Sequence, residues 1–282
     1  SDEDLLTVAS KIYGDLLNTK ESQNDLSQKL HAFQYEFENA LKDVSNDKLS
    51  KIIKNMLEHN EFVKEYGEVF TPDHLIHSLL KKLPKADWKN PHLKWIDPAC
   101  GSGNFLVYVK NKLMKSLSEI IPDKIEREKH ICENMIYGCE LQAKNLFLAM
   151  TRLDHRNKYN LNLVKCDSLA FKFWDLDYSN VRFIGNPPWN PSGNSTHSIY
   201  QKFIKKCLGL LKEGGSLSFI TPPGWRKVAS EHSKQFYGLF DFMTKDNQMV
   251  YLSIHKDKES FNKDLIYRSE EHTSELQSRF GI

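Results

Sequence analysis

Apolar residues recur along the first sixty positions at the spacing of an amphipathic helix. Four of them lie at successive offsets of 4, 3 and 4: Leu26, Leu30, Phe33 and Phe37. Residues 49–57 repeat the pattern with leucine, isoleucine and methionine. Such a stripe buries one helical face and leaves the other in water. We therefore predict a helical module over residues 1–60.

After Thr71-Pro72 the pattern changes to short apolar runs that alternate with helical stretches. This alternation is typical of βαβ units and a mostly parallel sheet, here an α/β open, doubly wound fold over residues 61–267. The predicted strands are Leu93–Asp97, Met135–Glu140, Leu161–Asp167, Val181–Gly185, Ser216–Thr221 and Met249–Ile254. The predicted helices are His74–Leu83, Asn104–Leu117, Lys124–Glu133, Gln142–Leu153, Ser198–Leu211 and Glu231–Phe240. Ligands of such sheets bind at the carboxyl ends of the strands.

A glycine-rich turn directly follows the first predicted strand. It reads DPACGSGNF from Asp97 to Phe105, and an apolar helix comes next. Glycines allow a ligand to approach the backbone closely, although a simple tight turn explains the same residues. The dinucleotide fingerprint G-x-G-x-x-G requires a third glycine where Leu106 stands, which disfavours a nicotinamide or flavin.

Two acidic residues end the next two predicted strands. Glu140 closes one and Asp167 closes the other. Their carboxylates can accept hydrogen bonds from a ribose diol and from an exocyclic amine, respectively. Either residue alone fits a solvated strand end that caps the next helix, but both beside a glycine turn favour an adenosine-containing ligand.

The fourth predicted strand ends in Asn186-Pro187-Pro188-Trp189. Two prolines in succession remove two backbone donors and fix the chain, so this corner presents acceptors. Asn186 adds a side-chain oxygen and Trp189 adds a flat aromatic face, which suits a planar substrate with an amine, such as adenine. The alternative is a strand-ending turn with a buried tryptophan.

These segments together resemble a known family. DPACGSGNF, Glu140 within YGCELQ and Asp167 within KCDSL resemble motifs I, II and III of S-adenosylmethionine-dependent adenine-N6 DNA methyltransferases. NPPW resembles their motif IV, and GEVFTP, residues 67–72, resembles motif X. Motif X before motif I matches the γ arrangement. The resemblance implies a Rossmann-like class I methyltransferase fold.

The resemblance also implies roles for individual residues. Asn186 and the Pro187 carbonyl would accept the hydrogens of the target amine, next to Pro188, while Trp189 stacks on the base. The methyl group would pass directly from S-adenosylmethionine to N6 of a flipped-out adenine in double-stranded DNA. The implied cofactor-binding residues are Phe70, Thr71, Asp97, Ala99, Gly101, Gly103, Asn104, Phe105, Glu140, Asp167 and Ser168. Restriction or specificity subunits are the expected protein partners.

Thr71-Pro72 also has a purely local explanation. A threonine side chain that caps the helix, followed by proline at the first helical position, is a sound helix start. We therefore expect Thr71 to cap the helix His74–Leu83, whether or not it lines a cofactor site.

Composition adds limits to this picture. The 282 residues carry a net charge of only +2, so a nucleic-acid partner cannot be inferred from charge. No apolar stretch reaches the roughly 20 residues that a bilayer requires. The five cysteines form no C-x-x-C pair, and His74 and His77 lack a third ligand at useful spacing, so we expect no metal site. We expect a cytoplasmic protein without membrane contact.

The end of the chain has a separate explanation. Arg268 to Ser278 read RSEEHTSELQS, and residues 268–282 resemble a translated sequencing adapter. We expect an artefactual, disordered tail there and a catalytic domain that is incomplete at its C-terminus. Three alternatives to DNA methylation remain: a protein-glutamine methyltransferase, an RNA guanine-N2 methyltransferase, and a cofactor-binding fragment without activity.

Overall fold

A computed structural model describes residues 71–154, 158–189, 198–226 and 237–254. The predicted N-terminal helical module, Phe70 and the predicted tail lie outside the described residues. Most of the predicted helix Glu231–Phe240 also lies outside them. The domain boundaries at residues 60 and 267 therefore stay predictions.

The described part is built on one parallel sheet of five strands. The strands are β1 (Lys94–Asp97), β2 (Ile136–Glu140), β3 (Asn162–Lys165), β4 (Val181–Gly185) and β5 (Ser216–Phe219). Their order in the sheet is β3-β2-β1-β4-β5, with β1 at the centre. Every neighbouring pair is parallel, so all five carboxyl ends lie along one edge. This confirms the predicted open parallel sheet.

Helices cover both faces of the sheet. Successive side chains of a strand point to opposite faces, so Trp95 and Ile96 of β1 enter two different apolar clusters. The helices are α1 (Asp73–Leu80), α2 (Asn104–Ser116), α3 (Lys124–His130), α4 (Ala143–Leu153), α5 (Tyr200–Leu210) and α6 (Leu239–Thr244). Trp95 packs in the cluster of α1, α2 and α4, whereas Ile96 packs in the cluster that includes Cys207 of α5.

Some predicted boundaries differ from the structure. The predicted helix Lys124–Glu133 is α3, which the Asp123 carboxylate caps by accepting the Glu126 N–H at 2.8 Å, followed by a π-helical turn, Ile131–Met135. Strand β3 ends at Lys165, two residues before Asp167. Helix and strand ends depend on tertiary contacts that local periodicity does not encode.

The predicted strand Met249–Ile254 is wrong. These residues form no strand, and the Val250 side chain is 85% exposed. A run of β-branched and aromatic residues predicts a strand only where a neighbouring strand can accept its hydrogen bonds. Among the described residues β5 pairs with β4 alone, and Leu252 packs instead in an apolar cluster with Leu239 of α6.

A buried ion pair connects β4 to the segment before β1. Arg182 donates from Nε to Asp87 Oδ2 at 2.7 Å and from Nη2 to Asp87 Oδ1 at 2.9 Å. Its Nη1 also donates to the Gly214 carbonyl at 2.8 Å, close to the start of β5. This two-pronged geometry fixes the amino ends of β4 and β5, at the edge opposite the strand ends that carry the predicted site.

We expect Asp87→Ala to lower the free energy of unfolding by about 3–5 kcal/mol, because it leaves the Arg182 guanidinium buried without a counter-charge. Lys89→Met is the matched control, since it removes the exposed Lys89–Glu119 pair at 3.5 Å from the same short turn. Exposed pairs contribute little, so the control should unfold like wild type in urea. Equal losses in both variants would contradict a special role for the buried pair.

Candidate active site

The ends of three neighbouring strands bring the predicted site residues together. Asp97 ends β1, Glu140 ends β2, and Asn186 follows the last residue of β4. Strand β1 pairs with β2 on one side and with β4 on the other. The glycine turn after β1 therefore lies between the acidic end of β2 and the Asn-Pro-Pro-Trp segment.

Backbone amides of the glycine turn bind to these acidic side chains. The Ala99 N–H donates to Asp97 Oδ1 at 3.0 Å, and the Gly101 N–H donates to Glu140 Oε2 at 2.9 Å. The Gln142 N–H donates to the other Glu140 oxygen at 2.7 Å. Glu140 is thus oriented through both oxygens. A carboxylate oxygen can accept from two donors at once, so these bonds do not by themselves exclude a ligand.

The turn packs against α4 at Gly103, the residue that precedes α2. Gly103 has a φ of +86°, and a Cβ there would lie 3.0 Å from the Ala149 Cβ. Arg152 of the same helix donates from Nη1 to the Ser102 carbonyl at 2.7 Å and to Asn104 Oδ1 at 2.5 Å. The two Arg152 bonds were not predicted, because about fifty residues separate the partners. The local sequence around an arginine within a helix does not indicate which distant residue it contacts.

A second close approach joins the ends of β1 and β4. Gly185 has a φ of +145°, and a Cβ there would lie 2.7 Å from Asp97 Oδ1. The backbone of β4 can approach the Asp97 carboxylate only because this residue has no side chain. Gly185 was predicted only as the last residue of its strand, so its role against Asp97 was missed.

The Asp97 carboxyl is almost completely buried, and burial raises its pKa to about 8. The hydrogen bond from the Ala99 N–H opposes this pKa shift, and the nearby negative charge of Glu140 adds to it. Two carboxylates that share one edge of a buried turn disfavour simultaneous ionisation. Burial and the charge of Glu140 thus shift the pKa of Asp97 in the same direction.

The loop after β3 carries two of the predicted cofactor-binding residues, Asp167 and Ser168. The Asp167 side chain is exposed, and its Oδ1 accepts from the Leu169 N–H at 2.9 Å. The Ser168 hydroxyl donates to the Pro98 carbonyl, which attaches this loop to the glycine turn. Asp167 therefore lies beyond the strand that it was predicted to end, but on the same edge of the sheet.

Lys206 of α5 fixes this loop from the other side. Its Nζ donates to the carbonyls of Ser168 at 2.5 Å, Leu169 at 3.1 Å and Phe171 at 2.6 Å. The ammonium also lies 4.5 Å from the centre of the Phe173 ring, a cation–π distance. The sequence carries no signal for this role, since the lysine is one of several along a predicted helix.

The Asn186 side chain has a partner at each end of its carboxamide. Its Nδ2 donates to Thr71 Oγ1 at 3.1 Å, and its Oδ1 accepts from Trp189 Nε1 at 3.0 Å. Pro187 is buried, whereas Pro188 and Trp189 are half-buried. The oxygen predicted to bind a substrate amine is thus bonded to the indole in this structure.

Thr71 does not cap the first helix, contrary to the local prediction. Helix α1 begins at Asp73, its N-cap position is Pro72, and no side chain caps it. The Thr71 hydroxyl instead accepts from Asn186, and the Thr71 carbonyl accepts from Asn104 Nδ2 at 3.4 Å. The Thr71 hydroxyl therefore bonds to Asn186, 115 positions away in the sequence, and not to the N-terminus of α1.

Two features are absent from the described residues. Within the four described ranges, no group of three or more histidine, cysteine, aspartate and glutamate side chains is arranged to hold a metal ion. No helix in the same ranges is long and apolar enough to cross a membrane.

The strand order and the position of the glycine turn define the class of fold. A parallel sheet in the order β3-β2-β1-β4-β5, covered on both faces by helices, is the Rossmann-like architecture of class I methyltransferases. A family model described as N-6 DNA Methylase matches residues 44–221. The chain belongs to this family.

Two curated relatives match the chain. It is 29% identical to the type II restriction enzyme and methyltransferase RM.BcgI of Heyndrickxia coagulans, over 62% of this chain and 28% of that protein. It is 24% identical to an uncharacterized adenine-specific methylase of Mycoplasma pneumoniae, over 77% of this chain and 70% of that protein. The chain thus spans little more than a quarter of the first relative.

The fold also resembles a solved structure. The type IIL restriction-modification enzyme MmeI, determined in complex with DNA, superposes with a TM-score of 0.51 at 15% identity. The match covers 67% of this chain and 35% of that one. At this level of identity the similarity concerns the fold.

We expect Gly185→Ala to disrupt the site, because the new Cβ would lie 2.7 Å from Asp97 Oδ1 on a backbone that L-residues rarely adopt. The variant should unfold at lower temperature than wild type. Gly209→Ala is the matched control, since a Cβ there meets nothing within 4 Å and alanine favours the helix α5. Differential scanning calorimetry of both variants tests this, and a wild-type transition in Gly185→Ala would refute the close approach.

The raised pKa of Asp97 predicts a pH dependence of stability. Its pKa is about 8 in the folded protein and 3.8 ordinarily, so the folded state binds more protons between these values. The free energy of unfolding contributed by this group therefore falls as pH rises from about 4 to about 8. Asp97→Asn removes that dependence and keeps an oxygen for the Ala99 N–H. In urea titrations, the variant should gain stability relative to wild type between pH 5 and pH 8; a constant difference would contradict the shift.

Proposed function

We propose that this chain is the methyltransferase portion of a restriction-modification enzyme, which transfers a methyl group from S-adenosylmethionine to N6 of adenine in DNA. The observation that carries the proposal is the Asn186 carboxamide. It is held at the end of β4 by Thr71 and Trp189, beside the glycine turn after β1. Family membership and the curated relatives support the same activity.

The described residues fit S-adenosylmethionine. A Cβ at Gly101 would meet no atom within 4 Å, so the turn borders open space next to Glu140. The Glu140 carboxylate, oriented by two backbone amides, would accept from the ribose hydroxyls, and the exposed Asp167 carboxylate would accept from the adenine amine. Asp97, Ala99, Gly103, Asn104, Phe105 and Ser168 would complete the cradle. When bound, the cofactor supplies a methyl group activated by its sulfonium.

The Asn-Pro-Pro-Trp segment suits an amine acceptor of that methyl group. Asn186 Oδ1 and the Pro187 carbonyl would accept the two N6 hydrogens and leave the nitrogen lone pair facing the methyl carbon. Methyl transfer from the bound cofactor would form the N–C bond as the C–S bond breaks, with the electron pair of that bond left on sulfur and one N6 proton released to water. Positioning of the two reactants and the acceptor oxygens near the developing positive charge would supply most of the rate.

Double-stranded DNA is the proposed macromolecular substrate. The N6 group of a stacked base cannot reach an acceptor set at the edge of a sheet, so the target adenine has to leave the helix. Trp189 would then stack on the flipped base. Restriction or specificity subunits are the proposed protein partners, in line with the restriction enzyme and methyltransferase to which the chain is similar.

The test is incubation of the protein with isotope-labelled S-adenosylmethionine and, in separate reactions, unmethylated DNA, RNA or a protein extract, followed by mass spectrometry of nucleosides and peptides. We expect labelled N6-methyl-2′-deoxyadenosine from the DNA. Label found only in protein glutamine or in RNA guanine would refute the proposed substrate. Cofactor binding without transfer to any of the three would refute the activity of this chain.

Asn186→Ala should reduce transfer by at least about 100-fold, because it removes an acceptor that supports the transition state, and should leave the dissociation constant of S-adenosylmethionine within twofold. Asn160→Ala is the matched control, since Asn160 is exposed and precedes β3, at the amino edge of the sheet and not at the edge that carries the site. Near wild-type transfer by Asn186→Ala would contradict the proposed role of the carboxamide.

A further inference from the structure

We propose that Thr71 is a positioning residue that fixes the orientation of the Asn186 carboxamide and thereby directs its oxygen toward the target amine. This inference rests on the proposed function, since it assigns a task to Thr71 within the same site. The resemblance gave Thr71 a different task, contact with the cofactor. The two tasks lead to different measurable outcomes.

The chemistry of the partners fixes which end of the carboxamide is the oxygen. The indole N–H of Trp189 can only donate, so the Asn186 atom 3.0 Å from it must be Oδ1. The amide nitrogen therefore faces Thr71 Oγ1 at 3.1 Å, and the hydroxyl oxygen accepts. The opposite orientation would set the amide NH₂ against the indole N–H, donor against donor.

Substrate binding makes the Thr71 contact decisive. The indole of Trp189 bonds to the same oxygen that the target amine needs, and it would have to turn away to stack on the base. The Thr71 contact lies at the other end of the carboxamide and is unaffected by that exchange. Thr71 is 4% exposed, so water is poorly placed to replace its hydroxyl. It can therefore hold the amide while the oxygen changes partner.

The backbone of Thr71 connects this contact to the glycine turn. Its carbonyl accepts from Asn104 Nδ2 at 3.4 Å, and Arg152 donates to the Asn104 oxygen at 2.5 Å. Asn104 is the first residue of α2, directly after the turn. Thr71 thus contacts the proposed cofactor side through its carbonyl and the proposed acceptor through its hydroxyl. Thr71 therefore connects the two sides of the proposed site.

The decisive variants are Thr71→Val, which removes the hydroxyl at nearly constant volume, and Thr71→Ser, which retains it. We expect Thr71→Val to lower kcat for DNA methylation about tenfold, from the loss of one buried hydrogen bond, with the dissociation constant of S-adenosylmethionine within twofold of wild type. Thr71→Ser should restore kcat to within about threefold of wild type, since it retains that bond. An unchanged kcat at saturating cofactor with weakened cofactor binding in Thr71→Val would overturn the proposal. Failure of serine to rescue would overturn it too.

A second measurement does not depend on turnover. In ¹⁵N-labelled protein, the Asn186 side-chain NH₂ signals can be identified by their loss in Asn186→Asp. We expect slow hydrogen exchange of one Nδ2 proton in wild type and in Thr71→Ser, and fast exchange in Thr71→Val. Equal exchange in all three would overturn the proposal. Slow exchange without any methyl transfer would instead refute the proposed function and leave the contact intact.

Discussion

The site depends on the absence of a side chain at Gly185. Because a Cβ there would come within 2.7 Å of Asp97 Oδ1, only glycine allows the end of β4 to lie against the carboxyl end of β1. This approach sets the distance between the glycine turn and the Asn-Pro-Pro-Trp segment. The buried Asp87–Arg182 pair secures the same strand at its other end. Strand β4 is thus fixed at both ends, and the Asn-Pro-Pro-Trp segment extends directly from it.

The electrostatic arrangement follows from that packing. Asp97 is enclosed by the ends of two strands, and burial is the main reason that its pKa rises to about 8. Glu140 is oriented instead by two backbone amides, one on each of its oxygens. Two neighbouring strand ends thus hold their carboxyl groups in different ways, Asp97 by enclosure and Glu140 by backbone hydrogen bonds.

Local patterns predicted a large part of the fold. Strand β4 has the predicted bounds, Val181–Gly185, and the glycine turn follows β1 as expected, because both depend on apolar runs and turn residues a few positions apart. The Thr71–Asn186 contact joins residues 115 positions apart, and no local pattern encodes it. The segment Met249–Ile254 failed as a strand for a related reason, since strand propensity does not supply a neighbour.

Helix α5 is connected both to the Asn-Pro-Pro-Trp segment and to the loop after β3. It begins soon after the Asn-Pro-Pro-Trp segment, and its Lys206 binds three carbonyls of the loop that carries Asp167 and Ser168. A displacement of α5 that makes room for a bulky target would pull on that loop and, through Ser168, on the Pro98 carbonyl. The loop after β3 and the glycine turn thus both depend on the position of a single helix.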